Sequence, residues 1–163
     1  MRLSNRRKTP LYNFFLAIIN LVLFGGVLVF LLEIFKLNLL GNEKYLLLII
    51  PILLYSIFIL RGRQIFEYDS DGEAINLKNR NIITILGNNI SDEFPKYKVV
   101  NFIIRNFIFY KKLYLTISSK KKNFITLTYD ISYLTKKELN DLKLSLHKVI
   151  KINRDQAKSE ITQ

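Results

Sequence analysis

The side chains able to do chemistry are few and scattered. Cysteine is absent, which removes disulfides, thiolate metal sites and cysteine nucleophiles together. The one histidine, His147, has no cysteine and no nearby pair of acids to share a metal, so it reads as a solvated helix residue. Asp69, Asp71 and Glu73 crowd together. That stretch is too short for an EF-hand, lacks the closing glutamate, and is better explained as turn chemistry. Asp92 and Glu93, ahead of Phe94 and Pro95, read as loop. No Walker A sequence, nucleophile elbow or glycine-rich dinucleotide loop occurs. The sequence predicts no enzyme, no cofactor and no metal site.

What remains is contact chemistry. Lys120, Lys121 and Lys122, with Lys111 and Lys112, form one candidate set. They touch anionic headgroups or an acidic partner, or they are solvated hairpin lysines that discourage edge aggregation. Asn20 and Ser56 lie inside apolar runs. An amide in hydrocarbon needs a partner, which a bond from Asn20 to Ser56 or to backbone on the second run would supply; a transport path or an oligomer contact is the alternative.

Two elements must position these groups, and the first is apolar. Residues 14–32 and 45–60 are nearly free of charge, and the first run is long enough to cross about 30 Å of hydrocarbon as a helix. The connector, with Gly41, Glu43 and Lys44, is short enough to force an antiparallel transmembrane hairpin, expected as helices over about 12–35 and 44–61. Arg2, Arg6, Arg7 and Lys8 precede the pair, and Arg61 and Arg63 follow it. By the positive-inside rule both termini face the cytoplasm, giving a multi-pass protein of the cell (inner) membrane. The first run is too long for a signal peptide's apolar core and is expected to stay as an anchor. Tyr12 and Tyr45 fall where aromatic rings prefer the headgroups. Gly25 and Gly26 permit a close helix approach or are a simple flaw, and Pro51 predicts a kink.

The second element is a domain over residues 64–152. The chain carries a net charge of +12, and from Gln64 onward there are 17 basic and 11 acidic side chains. That excess suits an anionic leaflet. The lysines are mixed with acids instead of forming a basic stripe, so nucleic acid is not expected as a partner. Alternating patterns predict strands at 64–68, 73–78, 82–86, 97–105, 107–118 and 124–131, with an Asp71-Gly72 turn closing the first hairpin. Thr135 and Glu138 form a capping box, Leu134 and Leu139 a hydrophobic staple, and Leu142, Leu146, Val149 and Ile150 continue one helical face. A helix over about 136–152 follows, with 153–163 a flexible tail. Residues 102–110 are apolar on both faces apart from Arg105 and Asn106, so part of that segment is expected to lie against membrane, another subunit or a partner.

The hairpin, the short strands and the stretch from Tyr133 to Leu139 that opens the capped helix, together with residues 109–117 and the Asp71-Gly72-Glu73 turn, resemble small bacterial (flavobacteria-like) membrane proteins carrying a pleckstrin-homology-like (PH-like) domain. The resemblance implies a membrane-anchored α+β fold: a transmembrane hairpin, then an antiparallel sheet or partly open barrel with one C-terminal amphipathic helix. In phosphoinositide-binding relatives the loop joining the first two strands is basic. The corresponding loop here is expected at Asp69-Ser70-Asp71-Gly72, whose acids repel phosphate, so a protein-binding or structural role gains. The expected function is a non-enzymatic binding or scaffold module at the membrane surface, and the alternative is an accessory subunit of a transport or secretion assembly. The expected partners are the lipid bilayer and an unidentified protein or further copies of the chain.

Overall fold

The computed structural model describes residues 1–37, 39–83, 89–119 and 122–161. The chain divides into two compact units, one of residues Pro10–Leu60 and one that joins Met1–Thr9 to Arg61–Gln163.

The apolar unit contains α1 (Thr9–Leu32), a wide helical turn at Glu33–Leu37, a tight one at Gly41–Tyr45, and α2 (Leu46–Leu60). With these flanking turns, the helical segments Arg6–Leu37 and Gly41–Leu60 are long and apolar enough to cross a membrane. Gly26 explains how the two helices meet. A Cβ there would lie 2.4 Å from the Leu47 carbonyl oxygen and 3.2 Å from Pro51 Cγ, so only a bare backbone fits. Gly25 has no such neighbour. Glu33 is buried, and its carboxylate accepts the Leu40 backbone N–H, which ties down the connector. Tyr12 is buried as well, whereas Tyr45 is exposed and stands 6.1 Å from the Phe30 ring.

The second unit holds two antiparallel sheets and a helix. One sheet has the order β1 (Arg2–Ser4), β2 (Ile65–Asp69), β3 (Ala74–Arg80), β4 (Ile90–Pro95); the other is β5 (Val99–Asn106), β6 (Lys111–Ser119), β7 (Asn123–Asp130). Helix α3 spans Lys136–Ile161. The expected capping box is formed: Thr135 N donates to Glu138 Oε2 at 2.7 Å and Glu138 N to Thr135 Oγ1 at 3.2 Å. Leu142 and Leu146 are fully buried in a core with Phe66, Ile75, Leu113 and Tyr129.

Several expectations need correction. The N-terminal segment is no mere preface to the hairpin. Arg2, Leu3 and Ser4 pair with Asp69, Tyr68 and Glu67, so the first sheet opens with a strand from before the apolar helices. The turn at residues 70–73 therefore joins the second and third strands of that sheet. Residues 90–95 form a strand despite their polar composition; as the last in its sheet it tolerates a terminal proline. Residues 107–110 form the turn between β5 and β6. The final helix extends through the segment expected to be a flexible tail, as far as Ile161. Of the strand expected at 82–86, positions 84–86 lie outside the described residues, and Ile82 and Ile83 form a bend.

Candidate functional site

At one end of the β unit its two junctions with the apolar helices come together. Lys8, just before α1, places Nζ 2.8 and 3.0 Å from the Glu138 carboxylate oxygens in the first turn of α3. On the other side of the hairpin, Arg63 N–H donates to Asp130 Oδ2 at 3.2 Å and its guanidinium to the same oxygen at 3.0 Å. Arg61 lies over the Tyr133 ring, 4.7 Å from its centroid. Asp130, Tyr133 and Glu138 fall within one short stretch that closes β7 and opens α3. One segment thus receives the chain on both sides of the hairpin.

The backbone between these anchors needs a glycine. Gly62 has φ +78°, and a Cβ on it would lie 2.5 Å from Asp130 Cγ. Two buried asparagines fix the surroundings. Asn79 donates from Nδ2 to the Ile65 and Asp130 carbonyls, both at 3.1 Å, and accepts Asp130 N–H at 2.8 Å, joining the two sheets. Asn5 donates to the Gln64 carbonyl at 2.7 Å and accepts Phe66 N–H at 2.8 Å. A buried amide with both ends engaged specifies position, because leaving either end unpaired costs about 1–3 kcal/mol. Alternation along β3 signalled the first of these: Ile75, Leu77 and Asn79 share one face, and Asn79 is as buried as the other two. Asn5 had no such signal, since its partners lie far along the chain.

The electrostatics follow from this packing. Burial opposes ionisation of Glu138, but hydrogen bonds from Lys8 and from Thr135 outweigh it and hold the carboxyl below its ordinary value. Burial raises the Tyr133 hydroxyl, with Arg61 and Gln64 acting against it. Burial also pushes the Tyr129 phenol far above its usual value. Its hydrogen bond to Asp92 Oδ2, at 2.7 Å, adds to this and links β7 to β4.

The predicted lysines divide. Lys111 and Lys112 begin β6 at the junction end, where Lys112 pairs in register with Asp130. The Lys112 ammonium lies 5.4 Å from the centre of the Tyr110 ring. Lys122 sits past the opposite end of β6, roughly 25 Å away at about 3.3 Å per residue; Lys120 and Lys121 lie outside the described residues. Lys111 and Lys112 therefore do not share a patch with Lys122. The Ser56 hydroxyl donates to the Ile52 carbonyl one turn back in its own helix, at 2.8 Å, and not to Asn20. His147 is exposed, with its ring edge-on to Phe102 at 4.8 Å.

Beside Lys111 and Lys112 is a feature that composition only hinted at. Phe107, Ile108 and Phe109 are 42%, 93% and 50% exposed, at the tip of a turn closed by Phe107 N–H to the Tyr110 carbonyl at 2.8 Å. Among the described residues no group of three or more His, Asp or Glu side chains is placed to hold a metal ion. Comparison with protein-family models, curated proteins and solved structures finds no match to this chain.

Proposed function

We propose that the chain is a multi-pass integral membrane protein whose hairpin anchors a PH-like domain at the cytoplasmic face of the inner membrane, where the domain serves as a non-enzymatic binding or scaffold module. The observation that carries this reading is the double attachment. Lys8 on Glu138 and Arg63 on Asp130 fix the chain just before and just after the hairpin at one end of the β unit, so both flanks of the hairpin leave the β unit from the same place. The flanking cations suit an anionic cytoplasmic leaflet, at about 1 kcal/mol for each Lys or Arg near the surface. A four-stranded and a three-stranded sheet followed by one long helix support the PH-like assignment. In this arrangement the segment joining the first two strands is the hairpin itself, which replaces the loop used for headgroups in the relatives the sequence resembles.

Three measurements on the full chain test the reading. Native membranes washed with alkaline carbonate should retain it; release into the supernatant overturns the integral assignment. A reporter fused after Gln163 should behave as cytoplasmic, and a periplasmic signal overturns the orientation. Partners recovered by cross-linking should be lost when exposed β-unit positions such as Ile103 are changed to Asp, and kept when exposed helix positions such as Leu21 are changed to Ala. The reverse pattern would make the hairpin the functional part, as in a transport or secretion accessory subunit.

A further inference from the structure

We propose that the turn at residues 107–110 is a lipid-inserting tip, which enters the anionic headgroup layer of the membrane that the hairpin crosses. The inference rests on the membrane reading above and adds a second, independent point of contact.

Four observations support it. The tip presents three adjacent large apolar side chains, with Ile108 93% exposed, where water is the least favourable neighbour. It is preformed: besides the turn hydrogen bond, the Phe107 and Tyr110 rings stack at 4.4 Å, so little ordering opposes insertion. It wears a cationic collar. Arg105 and Lys112 are directly paired across β5 and β6, with Lys111 beside them, and no acid occurs from residue 105 to 112. The Arg105 and Lys112 cations lie over Tyr114 and Tyr110, both at 5.4 Å. Its location also fits, because Lys112 is the register partner of Asp130, and Asp130 holds Arg63, three residues beyond the end of α2.

The bilayer is favoured over a second copy of the chain by size. A stable protein interface buries roughly 800 Å² on each partner, and an aromatic side chain buries at most about 150–250 Å². Three partly covered side chains on a narrow tip fall short of that, but suffice to seat in a headgroup layer already held close by the anchor.

The absence of cysteine permits a direct test. Full-length Ile108→Cys, Glu73→Cys and Leu21→Cys proteins would each be labelled with an environment-sensitive fluorophore. They would then be reconstituted into phosphatidylcholine vesicles with or without phosphatidylglycerol, containing lipids spin-labelled near the headgroup or deep in the chain. The label at 108 should be quenched by the shallow probe and more strongly with phosphatidylglycerol. At 73, in the turn at the far end of the sheet, it should stay in water, and at 21 the deep probe should quench it. Lys111→Gln and Lys112→Gln should each weaken insertion about fivefold in anionic vesicles. If 21 is quenched while 108 remains in water, the tip proposal fails and the anchor stands. If 108 is shielded from water yet unquenched, protein covers it, whether a second copy or another chain, and the proposal again fails. If 21 is not quenched either, the membrane reading fails and takes the tip with it.

Discussion

The two ends of the β unit are built on different principles. At the junction end Asn79, Asn5, Asp130 and Glu138 are each satisfied by specific partners far away in sequence. At the opposite end the turn at 70–73 is held by backbone bonds, some of them to distant segments: Asp71 N–H donates to Asp69 Oδ1 at 2.9 Å, Ser70 N–H to the Met1 carbonyl at 2.9 Å and Lys96 N–H to the Glu73 carbonyl at 3.0 Å, while a Cβ on Gly72 would meet nothing within 4 Å. The junction end is held by buried side-chain amides and partly buried ion pairs, and the far turn by backbone bonds and by the exposed Arg2 on Asp69.

The contrast breaks most severely if Asn79 is replaced. Asn79→Leu strips partners from the Ile65 and Asp130 carbonyls and from Asp130 N–H. With unpaired buried groups at about 1–3 kcal/mol each, partly relieved by relaxation, a loss of roughly 3 kcal/mol is expected. Denaturant unfolding of the full chain in detergent would show it. A loss below 1 kcal/mol would mean that the sheets do not depend on this bridge.

A matched glycine pair sharpens the contrast next. Gly62 and Gly72 share a left-handed backbone, at φ +78° and +73°, which costs an L-residue about 1–2 kcal/mol. Gly72→Ala should incur only that strain. Gly62→Ala should add a collision with Asp130, for a total of roughly 3 kcal/mol, because overpacking costs about 1–3 kcal/mol more. Equal losses in the two variants would remove the distinction between the ends.

The same division explains what was legible in the sequence. Thr135 with Glu138, and Leu142 with Leu146, are one helical turn apart, so their pattern is complete within a short window. The turn at Asp71-Gly72 is equally local. Strand β1 was not legible, because its three residues gain meaning only from a partner strand beyond the apolar helices. Strand β4 reads Ser91-Asp92-Glu93 and looks like a loop; it is an edge strand held by register with β3 and by the Tyr129 to Asp92 bond. Of the candidate contacts, Lys111 and Lys112 were visible as charges. Their separation from Lys122 depends on the length and direction of β6, and their company with an exposed aromatic turn depends on where that strand begins.

A pH titration probes the junction more gently. The folded state holds Glu138 below the ordinary glutamate value, so its ion pair contributes stability above the unfolded-state pKa, and the contribution is lost as pH falls through the folded value. Wild type should lose stability across that acid window more steeply than Glu138→Gln, and Lys8→Ala should flatten part of the same slope. The effect should be smaller than either substitution above, since a partly exposed ion pair is screened by water. Parallel pH profiles in all three proteins would show that the Lys8 tie adds nothing to the junction.

The smallest effect is expected from two charge reversals that look alike in sequence. Lys122→Glu, at an exposed position beyond β6, should change stability by no more than about 0.5 kcal/mol, as surface substitutions away from special features do. Lys112→Glu loses the contact with Tyr110, worth about 0.5–1 kcal/mol at an exposed site, and sets a new carboxylate opposite Asp130, beside the acid that receives Arg63. Its loss should therefore exceed that of Lys122→Glu and should shrink in high salt, because like-charge repulsion near the surface is screened over about 10 Å at 0.1 M ionic strength. If the two variants behave identically at low salt, Lys112 is as free of the junction as Lys122, and the junction ends at Asp130.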